Sequence, residues 1–374
     1  MRFVLLILLA ITTSANAQTK KRARELGIKI GVMQPGKLNA ITDVEGVTVG
    51  QTTLIKGDSI RTGVTAILPH TGNLFQNKVA AAVFVGNGFG KLAGTTQIKE
   101  LGNIESPIIL TNTLGVATGI NAVITYTLAQ KGNENVQSVN AVVGETNDGY
   151  LNDIRGRHVT EKDVLDAIKN ANNGAVAEGC VGAGTGTICF GFKGGIGTAS
   201  RVLPKELGGY TVGVIVQTNF GGVLNIDGVP VAEEMKKYDF ANYLEKSDGS
   251  CMIVVATNAP LDARNLERLA KRAFMGLAKT GGIASNGSGD YVVAFSTDTT
   301  LRVPHNSSPL LSNAELANDA ATPVFMATIE ATEEAIVNSL LMAQPMKGKM
   351  GRAVEALPME EVKRIFAKYN RILK

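Results

Sequence analysis

The stretch from Ser250 to Ser296 constrains the fold more than any other part of the chain. Cys251 to Ala256 is an apolar run of strand length, and Pro260 then precedes a helix capped by Asp262. Leu266, Leu269, Ala270, Ala273 and Leu277 recur at three- and four-residue spacing and give that helix one apolar face, and Gly281 ends it. After the loop "ASNGSGD" comes a second apolar run, "YVVAFS". A strand, a helix and a strand in this order carry the chain back along a sheet, so the two strands are expected to run parallel and to start on the same edge. Ser250 begins one, while Ser288 and Asp290 stand at the start of the other. The spacing thus predicts that residues 38 apart in sequence meet at one rim.

The rest of the chain alternates strands with helices, without low-complexity stretches or an obvious linker, and residues 18–374 read as a single domain. "GVTVGQTTLIKGDSIRTGVTAILP" is a hairpin turning at Lys56-Gly57-Asp58. "VAAAVFVGNG" and "SPIILTNT" are short apolar runs ending in polar residues, the pattern of buried strands that deliver a site at their ends. A helix follows from Gly115 to about Lys131, a strand ends at Glu145, and another closes on Asn219. Two further helices are expected, over Ala327 to Met342 and after Pro358. With 42 glycines and no tryptophan, much of the backbone must lie in tight turns or in close approach to its neighbours.

Several classes of function find no support. A net charge of +4, with no basic cluster interleaved with aromatics, does not suit nucleic acid. "GNGFGK" lacks the spacing of a phosphate loop, and "GAGTGT" lacks that of a dinucleotide fingerprint. His70, His158 and His305 are far apart, and with no CxxC or HExxH there is no metal signature. A GxSxG elbow is also missing. The first residues, "MRFVLLILLAITTSANA", have the basic, apolar and small-residue segments of an export signal cut after Ala17, so a periplasmic or secreted protein is expected. Three cysteines are an odd count for such a protein. Cys180 and Cys189, in a glycine-rich region, are expected to be small buried residues, with one pairing left open.

One serine needs no histidine to become reactive. "SDGSCMIVVA" reads either as a turn entering a buried strand or as a chain that cuts itself between Gly249 and Ser250. A cut would give Ser250 a free α-amine with a reference pKa of about 7.7–8.0, a usable base beside its own hydroxyl.

At this point the chain resembles the self-processing serine aminopeptidases of peptidase family S58, which include the L-aminopeptidase/D-amidases and the β-aminopeptidases. The resemblance is carried, in order, by "GVTVG", "GNGFGK", "TNTLGVATG", "VVGETNDGYLND", "GAGTGTICFGFKGGIGTASR", "VQTNFGG", the Gly249-Ser250 junction and "SNGSGD". It implies an α+β fold, a four-layer αββα sandwich layered like the amino-terminal nucleophile hydrolases but connected differently. It also implies autocleavage into residues 18–249 and 250–374, which remain intertwined, commonly in a tetramer of processed pairs. Ser250 is then the nucleophile, Ser288 and Asp290 orient and activate it, and Asn219 lines the oxyanion hole. Some relatives carry Glu, one methylene longer, where this chain has Asp290. Glu145 receives the free amine of a small peptide, amide or ester, and Tyr150 either walls the same pocket or is a surface tyrosine. No cofactor, nucleic acid or stable membrane insertion is implied. The alternatives are a self-processing acyltransferase of the ornithine acetyltransferase type, which generally uses Thr at the cut, and a non-catalytic periplasmic binding protein.

Overall fold

The computed structural model describes residues 20–241, 249–306 and 310–374. The expected export signal, residues 1–17, and Asp248 of the turn before the expected cut lie outside the described residues.

In chain order the strands are β1 Thr48–Lys56, β2 Ile60–Leu68, β3 Asn77–Gly88, β4 Leu92–Ala93, β5 Asn103–Ile104, β6 Ile108–Asn112, β7 Val142–Thr146, β8 Ile188–Cys189, β9 Phe192–Lys193, β10 Ile196–Val202, β11 Thr211–Asn219, β12 Ser250–Thr257, β13 Gly289–Ser296 and β14 Val303–Pro304. The helices are α1 Thr95–Leu101, α2 Val116–Leu128, α3 Glu161–Lys169, α4 Val231–Met235, α5 Ala263–Lys279, α6 Thr322–Leu341 and α7 Met359–Lys368. One sheet runs β10-β11-β12-β13-β3-β14, with β5 added beside β3, and a second runs β1-β2-β6-β7-β4.

Burial shows why the strand sequences are continuously apolar: both faces of each sheet are covered. Along β12, Ile253 and Val255 face the helical layer, packing with Leu266, Leu269 and Ala273 of α5. Met252 and Val254, alternating with them, enter a second cluster with Ile67, Ile108, Leu110 and Val142 of the other sheet. On that sheet the alternation repeats, because Ile109 and Val143 point outward to Ala122 and Val123 of α2 and Val164 of α3. Three cores therefore separate four layers: α5 and α6, the larger sheet, the smaller sheet, and α2 and α3. The expected αββα sandwich is observed.

The local signals operate as read. Asp262 Oδ1 accepts from the Asn265 N–H at 2.8 Å and starts α5. Gly281, at φ +89°, turns the chain away two residues after α5 ends. β12 and β13 pair in parallel, as the strand-helix-strand order predicts. Helix α6 departs from the reading, beginning at Thr322 rather than Ala327. Pro323 lies in its first turn, where the missing N–H has no partner to lose, so the proline does not delay the helix.

The cysteines also need a correction. All three are free; Cys189 and Cys251 are buried, but Cys180 is only half-buried. Its sulfur exchanges hydrogen bonds of 3.3 Å with the Gln344 backbone. Among the described residues no helix is long and apolar enough to cross a membrane.

Candidate active site

The strand ladders bring the reactive residues together. Ser250 lies beside Gly289, and Cys251 beside Asp290, in the parallel β12–β13 pair. On the other side of β12, Asn219 is the antiparallel partner of Ser250. Ser250, Ser288, Asp290 and Asn219 thus meet at one rim of the larger sheet, on residues set by three adjacent strand ends.

The Ser250 hydroxyl is buried and donates to the Gly249 carbonyl oxygen at 2.5 Å. The Gly289 N–H points at both oxygens, 3.3 Å from Ser250 Oγ and 3.4 Å from Gly249 O. Gly249 is required by space here. A Cβ at that position would stand 2.8 Å from the Phe220 Cα, closer than such atoms approach, and a tight 3.1 Å from the Asn219 carbonyl oxygen.

Asn219 is oriented through one end of its amide. Oδ1 accepts from the Ile188 N–H of β8 at 3.0 Å, which leaves the NH₂ end as the donor this cavity-lining residue has to offer. Asp290 is buried, and neither of its carboxylate oxygens has a hydrogen-bond partner among the described residues. Desolvation pushes its pKa up to about 6. The Ser288 hydroxyl and the Cys251 N–H pull it the other way, though neither reaches the carboxylate in good hydrogen-bond geometry. The Ser288 hydroxyl is itself buried without a partner. Three orphaned buried polar atoms in so small a space are uncommon in a finished core and point to a site with work to do.

Ser250 and Asn219 line a cavity of about 560 Å³, whereas Ser288 and Asp290 lie behind that lining. Gly249 lies beside them in the lining, and Phe220, Ile188 and Phe89 contribute its apolar parts. Glu145 lies in the same cavity, nearly fully buried. Its Oε1 accepts from the Lys91 N–H at 3.0 Å, and Oε2 accepts from the Thr113 hydroxyl. The Lys91 ammonium stays 3.9 Å away on a largely exposed side chain. Tyr150 answers to both of its readings, since it lines the cavity and is also half exposed, with Arg352 stacked 4.8 Å from its ring centre.

Sequence reasoning missed Phe89, Lys91, Thr113 and Ile188. A signal existed for the first three, because "GNGFGK" and "SPIILTNT" follow or close buried strands expected to deliver a site. None of the histidines lines this cavity. His70 faces the Asn77 carbonyl, His158 faces Asp153, and His305 packs on Phe75. Among the described residues no group of three His, Cys, Asp or Glu could hold a metal.

The sequence profile of peptidase family S58 matches residues 39–354, most of the chain. The chain belongs to peptidase family S58. It is therefore an enzyme, a peptide hydrolase, and the binding-protein alternative falls. The beta-peptidyl aminopeptidase of Sphingosinicella microcystinivorans is 40% identical over 394 residues, covering 100% of this chain and 98% of its own. Among solved structures, the PH0078 protein of Pyrococcus horikoshii is 49% identical with a TM-score of 0.87, over 94% of this chain and 100% of that one. A beta-aminopeptidase of a Burkholderia species is 40% identical with a TM-score of 0.85, over 93% and 99%. The L-aminopeptidase D-Ala-esterase/amidase of Ochrobactrum anthropi is 38% identical with a TM-score of 0.87, over 94% and 99%, and is described as a new variant among the Ntn hydrolase fold. The S58 chain described here shares that fold.

Proposed function

We propose that this S58 member is an exported, self-processing serine aminopeptidase that releases amino-terminal residues from small peptides, amides or esters through an acyl-enzyme on Ser250. The observation that carries the reading is the placement of Ser250 Oγ against the Gly249 carbonyl, in one cavity with the buried carboxylate of Glu145. The names of the relatives, aminopeptidases acting on beta-peptidyl or L-amino-acid substrates, support it.

In the self-cut, Ser250 Oγ adds to the Gly249 carbonyl carbon. The C–N bond then breaks, and the hydroxyl proton passes to the departing nitrogen. The chain is now an ester, and water adds to its carbonyl to give the Gly249 carboxylate and regenerate the hydroxyl. The Gly289 N–H, 3.4 Å from the Gly249 oxygen, supports a donor role that would tighten as that oxygen becomes negative in this step. The freed α-amine of Ser250 is a cation or a base near neutrality, and it is the kind of group the unpartnered Ser288 hydroxyl and Asp290 carboxylate would accept as a neighbour.

In turnover the same hydroxyl attacks the substrate carbonyl, and the Asn219 amide donates to the oxyanion. An ammonium on the substrate is the natural counter-charge for Glu145, whose present hydrogen bonds come from one backbone N–H and one hydroxyl. The apolar walls of Phe89, Ile188 and Phe220 would surround the side chain of the departing residue. Export by the amino-terminal segment and assembly of cut pairs into a tetramer belong to the same reading.

Two measurements test it. A denaturing gel with amino-terminal sequencing should show two fragments, one beginning Ser-Cys-Met-Ile, and Ser250→Ala should remain one inactive chain. Cleavage at the same bond in purified Ser250→Ala would refute self-processing. An aminoacyl nitroanilide should be cleaved roughly 30- to 5,000-fold better in kcat/KM than its N-acetyl derivative, because the capped amine leaves a buried carboxylate without its partner. Glu145→Gln should shrink that ratio. Equal turnover of capped and free substrates would leave a general amidase or an acyltransferase.

A further inference from the structure

Strand pairing explains where Ser250, Asn219 and Asp290 sit, but it does not explain Ser288. Ser288 precedes the first residue of β13, at the end of a tight turn whose Ser288 N–H donates to the Ser285 carbonyl at 2.8 Å. A turn held only by its own bond would place the Ser288 side chain loosely. The structure supplies a clamp from outside. The half-buried Asn87 side chain donates through Nδ2 to the Ser288 carbonyl at 2.5 Å, to the Ser285 carbonyl at 3.0 Å and to the Asn286 carbonyl at 3.2 Å. Two residues on, the Phe89 N–H donates to the same Ser288 carbonyl at 3.1 Å.

The register of β3 explains how Asn87 comes to be there. Tyr291 pairs with Val85, but its neighbour Asp290 pairs with Asn87, so Gly86 is an extra residue on β3. A bulge of this kind re-aims the side chains that follow it. The bulge lies beside Asp290, and the re-aimed amide spans the turn that carries Ser288.

We propose that Asn87 is a positioning residue for the reaction, fixing the Ser285–Ser288 turn and with it the Ser288 hydroxyl at the rim that also carries Ser250 and Asp290. The proposal rests on the reading of Ser288 and Asp290 as the groups that activate Ser250. It assigns Asn87 a role across the expected cut, since Asn87 belongs to residues 18–249 and the turn it holds belongs to residues 250–374. Among the described residues the two N–H bonds of this amide are shared by three carbonyl oxygens, so charge and shape make opposite predictions. Asn87→Asp keeps the shape but sets a carboxylate against those oxygens, whereas Asn87→Ala removes the donor and leaves room for water.

The experiment measures the rate of the self-cut on a denaturing gel, and kcat and KM for an aminoacyl nitroanilide on the cut protein. Asn87→Ala, Asn87→Asp and Ser288→Ala are compared with the double variant Asn87→Ala/Ser288→Ala, with each thermal midpoint recorded. A displacement on the order of 1 Å at a catalytic group costs roughly 10²-fold in rate, so Asn87→Ala should lose about that much in cutting rate and kcat with KM unchanged. Asn87→Asp should lose more. In the Ser288→Ala background the Asn87 substitution should have no further effect, because the hydroxyl it positions is gone. Three results would overturn the proposal: Asn87→Asp performing better than Asn87→Ala, which indicates packing alone; full additivity in the double variant; or a wild-type rate in either Asn87 variant. Should an Asn87 variant be too unstable to assay, the comparison is made with Asn87→Ser by the same criteria. A wild-type rate in Ser288→Ala would instead strike the reading of Ser288, and the role of Asn87 would go with it.

Discussion

Asn219 lines the cavity with one end of its amide committed to the Ile188 N–H and the NH₂ end left as a donor, so its substitution should separate rate from binding. Asn219→Ala is expected to lower kcat by about 10²–10³-fold with little change in KM, measured on cut protein. A change confined to KM would place this residue in ground-state binding. Asp290 carries a second expectation, tested in the uncut Ser250→Ala chain where no α-amine is present. Its carboxyl titrates near pH 6 when folded, against an ordinary value of 3.8, so the folded state holds a proton that the unfolded state has released. The resulting stabilisation is complete below about pH 3.8 and is lost as pH rises through about 6. The thermal midpoint of Ser250→Ala should therefore fall across this window relative to Ser250→Ala/Asp290→Asn, and parallel curves would show that burial does not perturb the group. At this scale the sequence was informative where a residue sits at a strand end, as Ser250, Asn219 and Glu145 do. It marked the strand end that carries Asn87 but not the role of Asn87 or of Ile188, which depend on a bulge and on a pairing between distant strands.

Helix α6 shows how much an element can depend on one small residue. A Cβ on Gly197 of β10 would lie 1.9 Å from the Ala335 carbonyl oxygen, so the helix backbone rests directly on the strand. Four residues further along β10, the fully buried Arg201 pairs with Glu330 at 3.0 Å and with Glu334 at 2.7 Å, both on α6. Arg24 reaches Glu334 as well. Removing the shared cation leaves two buried carboxylates short of a partner, and Arg201→Met should cost about 3–5 kcal/mol in denaturant unfolding. A loss below about 1 kcal/mol would mean that Arg24 and water compensate. The β12–α5–β13 unit was legible because its cap, its apolar stripe and its terminal glycine are all local. That β11 and β3 flank this unit was not legible, since pairing between strands far apart in sequence leaves no mark in either strand alone. The start of α6 lies five residues before Ala327, in a first turn that holds Pro323 and so carries no run of strong helix formers to mark it.

For the whole molecule, the order of strands in the larger sheet matters most. Residues 250–374 contribute β12 and β13 to its centre, and residues 18–249 contribute β11 on one side and β3 on the other. The two products of the proposed cut are thus neighbours along two full strand ladders and share two of the three cores. They should co-elute as one species in native size-exclusion chromatography and separate only in denaturant. Dissociation of the fragments under native conditions would contradict this pairing.

The same interleaving changes the reaction order of folding. In the uncut chain β11, β12, β13 and β3 are one molecule, and their assembly is first order whatever the concentration. Once the bond at Gly249 is broken, the sheet can be rebuilt only by an encounter between two polypeptides. Refolding of the denatured cut protein should therefore slow in proportion to dilution, while refolding of Ser250→Ala should not. The cut that frees the amine would also end the chain's capacity to recover its fold alone, and survival of the enzyme would then rest on how seldom the folded pair opens.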